Sequence, residues 1–200
     1  MPRPLAAAVG MVVLLSVGLR ADAERTAPPV GERLEYSLRW GFVPAGRAVL
    51  ESRPEAAVDG VPARHFVLTV RSNRFVDTFY KVRTRIESFL DTGLHRSLLY
   101  VKRQREGDHR RDERVAFDWD RNRVHYANFG EDRDPLDLPG RAYDPLGVLY
   151  ACRTLRLEPG ETYTLPVTDG KRCVTGVARI VGEERIETAA GTFDTLVIEP

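Results

Sequence analysis

Large apolar side chains recur at every second position over several stretches of the chain, and that period of two predicts half-buried β-strands. Leu34, Tyr36, Leu38 and Trp40 alternate with Glu35, Ser37 and Arg39. Phe66, Leu68 and Val70 stand against His65, Thr69 and Arg71, and Val82, Thr84 and Ile86 against Arg83, Arg85 and Glu87. Val115, Phe117 and Trp119 repeat the pattern against Arg114, Ala116 and Asp118. Turn chemistry separates these runs, at Asp59-Gly60, Asp91-Thr92-Gly93, Glu106-Gly107-Asp108, Asp120-Arg121-Asn122 and Asp169-Gly170. Strands joined by tight turns make an antiparallel meander, and a long meander with one dry face has to curl or be covered. The expected fold is mainly β: an antiparallel curved sheet or open β-barrel with one short covering helix.

That helix is expected at about residues 144–156. Asp144 suits an N-cap and Pro145 the first helical position, Leu146, Leu149, Tyr150 and Leu155 form an apolar stripe, and Pro159-Gly160 closes the segment. A weaker helical turn is expected between Ser72 and Tyr80, where Phe75, Val76, Phe79 and Tyr80 cluster.

The amino terminus changes the picture of where the chain works. Arg3, the uncharged apolar run Leu5 to Leu19, and Ala21-Asp22-Ala23 read as the three parts of a cleavable secretory signal over residues 1–23. The run is shorter than a bilayer span needs, so no stable transmembrane anchor is expected after cleavage behind Ala23. The expected location is periplasmic. Residues 24–30 then form a short extended lead-in, and residues 31–200 a single β-rich domain.

Cleavage removes two arginines and one aspartate from 30 basic and 29 acidic residues, which leaves a formally neutral chain. Such a chain has no global field to hold a polyanion, so nucleic acid is not an expected partner. An apolar fraction of 42% argues against disorder.

Candidate chemistry is sparse. His65, His95, His109 and His125 lie too far apart in sequence for paired metal-ligand spacing, so neither a metal nor a cofactor is expected. No nucleophile elbow, phosphate-cradling glycine loop or Cys-His signature occurs. Asp118, Asp120, Asp132, Asp134 and Asp137 occupy turn and loop positions that explain them without catalysis, and the chain is not expected to be an enzyme. Lys102 to Arg114 carries six cations and four anions. It is suited either to anionic lipid headgroups or to a solvated hairpin tip, and the alternating signs favour the tip.

The order of several segments resembles the bacterial domain-of-unknown-function family 3108. They are Gly31-Glu32-Arg33-Leu34-Glu35-Tyr36 with Trp40 to Gly46, then Phe117-Asp118, and then Asp144-Pro145-Leu146 through Leu149-Tyr150 and Arg153. Asp169-Gly170-Lys171, Gly182-Glu183-Glu184 and Thr188 to Phe193 complete the series. The resemblance spans Gly31 to Pro200 and implies a secreted or periplasmic β-rich protein with no assigned activity, similar in outline to periplasmic lipoprotein carriers. It supplies no catalytic residues. Members of the family usually run on past the Thr-Phe-Asp-Thr strand, so the domain is expected to lack its closing C-terminal strands.

Cys152 and Cys173 are an even pair in a chain bound for an oxidising compartment, and a disulfide between them is expected. Closing a loop of about 20 residues would contribute on the order of 3 kcal/mol.

Two kinds of function fit these readings. In the first, the concave dry face binds a lipid-like or other apolar ligand in a pocket lined by Tyr36, Leu38, Trp40, Phe117 and Trp119, with Leu146 and Tyr150 of the helix as its lid. In the second, the same dry-face aromatics, with Phe66 and Tyr126, close a core, and the chain is a structural or assembly protein with a cell-envelope partner.

Overall fold

The computed structural model describes residues 27–199; the expected signal at residues 1–23 lies outside them. Residues 27–156 with 164–176 form one compact unit, and residues 157–163 with 177–199 form another. The larger unit carries the long meander.

Seven strands succeed one another in it: β1 (Arg33–Trp40), β2 (Val43–Val58), β3 (Val61–Ser72), β4 (Val82–Asp91), β5 (Ser97–Glu106), β6 (His109–Asp118) and β7 (Arg123–Asn128). Each pairs antiparallel with the next, and the short β8 (Glu131–Asp132) and β9 (Leu136–Asp137) both pair with β7. Eight of the nine strands run in sequence order from β1 to β8 without a bond between those two ends, so the sheet is open. The four alternating runs fall in β1, β3, β4 and β6; β1 and β4 begin within a residue of the pattern, whereas β3 and β6 begin four to five residues before it. The turns form where Asp-Gly and Asn chemistry allows: Asp59 and Gly60 both take positive φ between β2 and β3, as does Asn122 between β6 and β7.

One face of this sheet is dry. The opposed residues Ser52, Phe66, Ser88, Tyr100, Val115 and Tyr126 run across β2 to β7 in one row of the register, and all are buried. Phe66, Val115 and Val124 are fully buried, and Leu90, Leu94, Leu138, Ala142 and Tyr143 join them in one core. The covering helix is shorter than expected. Among the described residues two helices occur, α1 (Arg74–Asp77) and α2 (Gly147–Cys152). Asp144 still organises the start of α2, because its Oδ1 accepts from the backbone N–H groups of Leu146 and Gly147 at 2.9 and 2.8 Å. Beyond Cys152 the chain tightens into i→i+3 bonds from Arg153, Thr154 and Leu155, and the Thr154 hydroxyl donates to the Ala151 carbonyl. That local bonding competes with the α-helical ladder and ends α2 several residues before position 156.

The remaining strands, β10 (Thr162–Thr168), β11 (Cys173–Thr188) and β12 (Gly191–Glu199), form a three-stranded sheet. In the smaller unit β11 and β12 make a hairpin closed at Thr188 and Gly191, with Arg185 bound to Asp194 across it at 2.7 Å. No disulfide forms: Cys152, at the end of α2, and Cys173, at the start of β11, stand apart as free, partly buried thiols. Compartment and parity supplied that expectation, whereas a bridge needs Cα atoms within about 7 Å. Burial instead pushes both thiols up from their ordinary pKa, which keeps them protonated.

Candidate anion site on the wet face

The residues expected to line an apolar pocket separate into three places. Leu146 and Tyr150 are buried in the core rather than poised over a cavity. The Tyr150 ring stacks on Phe66 with centroids 3.7 Å apart, and its hydroxyl, buried and unpartnered among the described residues, is pushed well above the usual phenol range by that burial. Phe117 and Trp119 stack on each other at 5.5 Å and pack against the same core, with the Trp119 indole N–H donating to the Ser97 carbonyl at 2.8 Å. Tyr36 is half-buried. Leu38 is exposed, and Trp40 is 85% exposed at the tip of the β1–β2 hairpin. The bulge in this pairing skips Ala45 on β2 and leaves the alternation of β1 intact, so Trp40 is exposed because it stands at the hairpin end of the strand, where the dry face is no longer covered.

A polar centre inside the core explains much of this packing. Asp144 is fully buried; its Oδ2 accepts from the hydroxyls of Ser88 and Ser97 at 2.7 and 2.6 Å, while its Oδ1 caps α2. Burial pushes its carboxyl up, and these four donors oppose that shift by favouring the charged form. Gly147 is needed beside it, because a Cβ there would lie 2.8 Å from Asp144 Oδ2 and 2.9 Å from Ser97 Oγ. The second buried acid, Glu113, accepts from the Tyr126 hydroxyl at 2.9 Å and from Lys171 Nζ at 2.8 Å.

The wet face of the same sheet has a different character. Register sets Arg47, Arg71, Arg83, Arg105 and Arg110 directly opposite one another on the five successive strands β2 to β6. The neighbouring row adds Arg85 and Arg103, opposed to each other and followed by Asp112. Around them lies a concavity of about 570 Å³, lined by Arg71, Arg83, Arg85, Arg103, Arg105, Arg110 and Arg111 with Asp112 as its one acid. A second hollow of about 310 Å³ shares Thr69, Arg71 and Arg85 with the first and adds Arg33, Arg47 and Arg53, facing Glu51.

Acids hold part of this cluster. Asp77 grips Arg83 through two bonds of 3.0 and 2.6 Å, which lowers its carboxyl to about pKa 2 and raises the guanidinium. Glu87 holds Arg85 at 3.0 and 3.1 Å. Among the described residues, Arg71, Arg105, Arg110 and Arg111 reach no carboxylate within 4 Å. Like charges directly opposed across a ladder repel. Guanidinium groups converging on a hollow are the donor set that phosphate and carboxylate oxygens accept from in pairs. No sequence motif marks this site, because the five ladder arginines are scattered between positions 47 and 110 and only the strand register assembles them.

Among the described residues no group of three or more His, Cys, Asp or Glu converges as metal ligands would. His65 instead stacks on Phe89 at 4.3 Å and bonds Glu87 at 3.0 Å.

Comparison with known proteins gives a family and a distant likeness. No curated protein matches the chain. A solved structure from Brucella abortus, a β-barrel-like protein of the domain of unknown function DUF1849, is similar at 13% identity over 80% of this chain and 71% of that one, with a TM-score of 0.44. The profile of "Protein of unknown function (DUF3108)" matches residues 35–200. The chain therefore belongs to the DUF3108 family.

Proposed function

We propose that this protein is a non-catalytic binding module of the cell envelope, exported through its residues 1–23, that takes a ligand bearing two or more phosphate groups on the wet face of its long sheet. One observation carries the reading: five arginines stand opposite one another on adjacent strands beside a hollow, and four of the hollow's arginines lack a carboxylate. Such a row raises the local positive potential and so favours a counter-anion at the hollow. The expected apolar pocket receives less support. Leu146, Tyr150, Phe117 and Trp119 pack together as core, in keeping with the alternative reading of a closed aromatic interior.

The test is calorimetric titration with sodium tripolyphosphate at low ionic strength. The wild-type chain should bind it, with an affinity that falls steeply as salt rises. Arg71→Gln combined with Arg105→Gln should weaken binding at least tenfold, while Arg123→Gln, at the Asp137 ion pair on β7, should leave it unchanged. Equal binding by all three proteins would reject the site.

A further inference from the structure

The two ends of the meander differ in composition. In an up-and-down sheet the β1–β2, β3–β4, β5–β6 and β7–β8 connections emerge at one end and the β2–β3, β4–β5 and β6–β7 connections at the other. The first end carries exposed aromatics on three of its four connections: Trp40 and Phe42, then Phe75, Phe79 and Tyr80, then Phe129. Phe42 is 98% and Phe79 77% exposed. At the opposite end the connections are the polar turns at Asp59-Gly60, Thr92-Gly93 and Asp120 to Asn122, beside which Val61 is the exposed large apolar residue.

The first three of these connections are bonded in series, and the fourth is bonded to the side of β6. Asn73, the cap of α1, donates its backbone N–H to the Ala45 carbonyl and its side-chain amide to the Pro44 carbonyl of the first hairpin. Gly107 of the third connection donates to the Lys81 carbonyl, and the Tyr80 ring lies against that glycine so closely that a Cβ would sit 2.7 Å away. The Phe129 N–H donates to the Asp112 carbonyl. Behind this end, within two residues of the β3–β4 and β5–β6 connections, runs the row Arg71, Arg83, Arg105 and Arg110. Arg39, Arg74 and Lys81 add positive charge at the same end. Of its acids, Asp77 is neutralised by Arg83, which leaves Glu106, bonded to the Thr84 hydroxyl, with Asp108, Glu131 and Asp132.

We infer that this end of the sheet docks on the surface of a bilayer containing anionic phospholipid, the aromatic fringe entering the interface and the arginine row binding lipid phosphates. The inference rests on the anion reading above and identifies its phosphates as headgroups. Aromatic rings favour the headgroup level of a membrane, and basic residues just behind them meet the phosphates there. A soluble phosphate would use the arginines but has no use for a connected row of unburied aromatics, which is costly to expose unless something covers it. Among the described residues no helix is long and apolar enough to cross a membrane, so the contact is superficial as far as helices are concerned.

The experiment uses the chain carrying Trp119→Phe, which leaves Trp40 as the single tryptophan. It compares vesicles of pure phosphatidylcholine with vesicles of phosphatidylcholine and phosphatidylglycerol in a ratio of about two to one, which differ in surface charge. Trp40 emission should shift to the blue and resist acrylamide quenching with the anionic vesicles alone. Phe42→Ser with Phe79→Ser should reduce vesicle binding at least tenfold and leave tripolyphosphate affinity within twofold; Arg71→Gln with Arg105→Gln should reduce both. Tripolyphosphate binding without vesicle binding, or vesicle binding indifferent to the fringe substitutions, overturns membrane docking and leaves the anion site standing. Absence of binding to either probe overturns both.

Discussion

The two faces of the nine-stranded sheet are built by alternate residues of the same strands, yet they treat charge in opposite ways. On the dry face the buried acids Asp144 and Glu113 are satisfied within the fold, the first by two serine hydroxyls and two backbone N–H groups, the second by Tyr126 and Lys171. On the wet face Arg71, Arg105 and Arg110 are gathered without acids to answer them. A buried ion without partners costs several kcal/mol, so the dry face is obliged to complete its network. Solvent screens the wet face, where an unanswered row costs little and is free to serve a ligand. The comparison separates residues that hold the fold from residues that the fold merely assembles.

Substitutions on the dry face should do the most damage. Phe66→Ala removes a fully buried ring stacked on Tyr150 and should lower unfolding free energy by about 3–5 kcal/mol, read from urea denaturation with an unchanged slope. Asp144→Ala strands two hydroxyls and two helix N–H groups in the core and should cost about 2–4 kcal/mol. A loss below about 0.5 kcal/mol would show that the buried carboxyl is not the organiser of α2.

The wet face should respond with the opposite sign. Arg71→Gln and Arg105→Gln relieve repulsion between directly opposed charges, and each should leave stability unchanged or raise it by about 0.2–1 kcal/mol at low salt. Added sodium chloride should narrow that gap by screening.

The smallest expected effect is a pH dependence from His65. Burial first, against the opposing bond to Glu87, lowers its pKa, so the folded protein resists protonation more than the unfolded chain does. Its contribution is therefore complete above the ordinary histidine value near 6.5 and declines as pH falls through that value toward the lower folded one. His65→Gln should flatten the stability profile between about pH 7 and pH 5.

How much of this was legible in the sequence differs between the faces for a physical reason. The dry face announces itself through local alternation, and Phe66, Val115 and Tyr126 fall where the period puts them. β2 is harder to read, since Pro44 and Pro54 and several alanines interrupt any period along its 16 residues. Trp40 keeps the period but is exposed, because a count of two gives the face of a residue and not how far along the strand that face stays covered. The helix at 144–156 was found by its cap, but not its early end, which depends on the turn bonds after Cys152. The disulfide failed because the separation of two side chains is a tertiary fact. The arginine row failed for the same reason: along Lys102 to Arg114 the signs mix, and only pairing with β2 to β4 sorts them onto one face.

The central claim, that the fold assembles the wet-face row for a ligand at no benefit to itself, is tested most directly by one pair of melting curves. Wild type and Arg71→Gln/Arg105→Gln are unfolded thermally at low salt, with and without saturating tripolyphosphate. The predicted result is a crossover: the variant melts at or above wild type in plain buffer and below it with the anion, because binding stabilises only the chain that retains the row. A variant that melts several degrees below wild type in plain buffer, with no differential gain from the anion, would contradict the account and make the row part of the protein's structural framework.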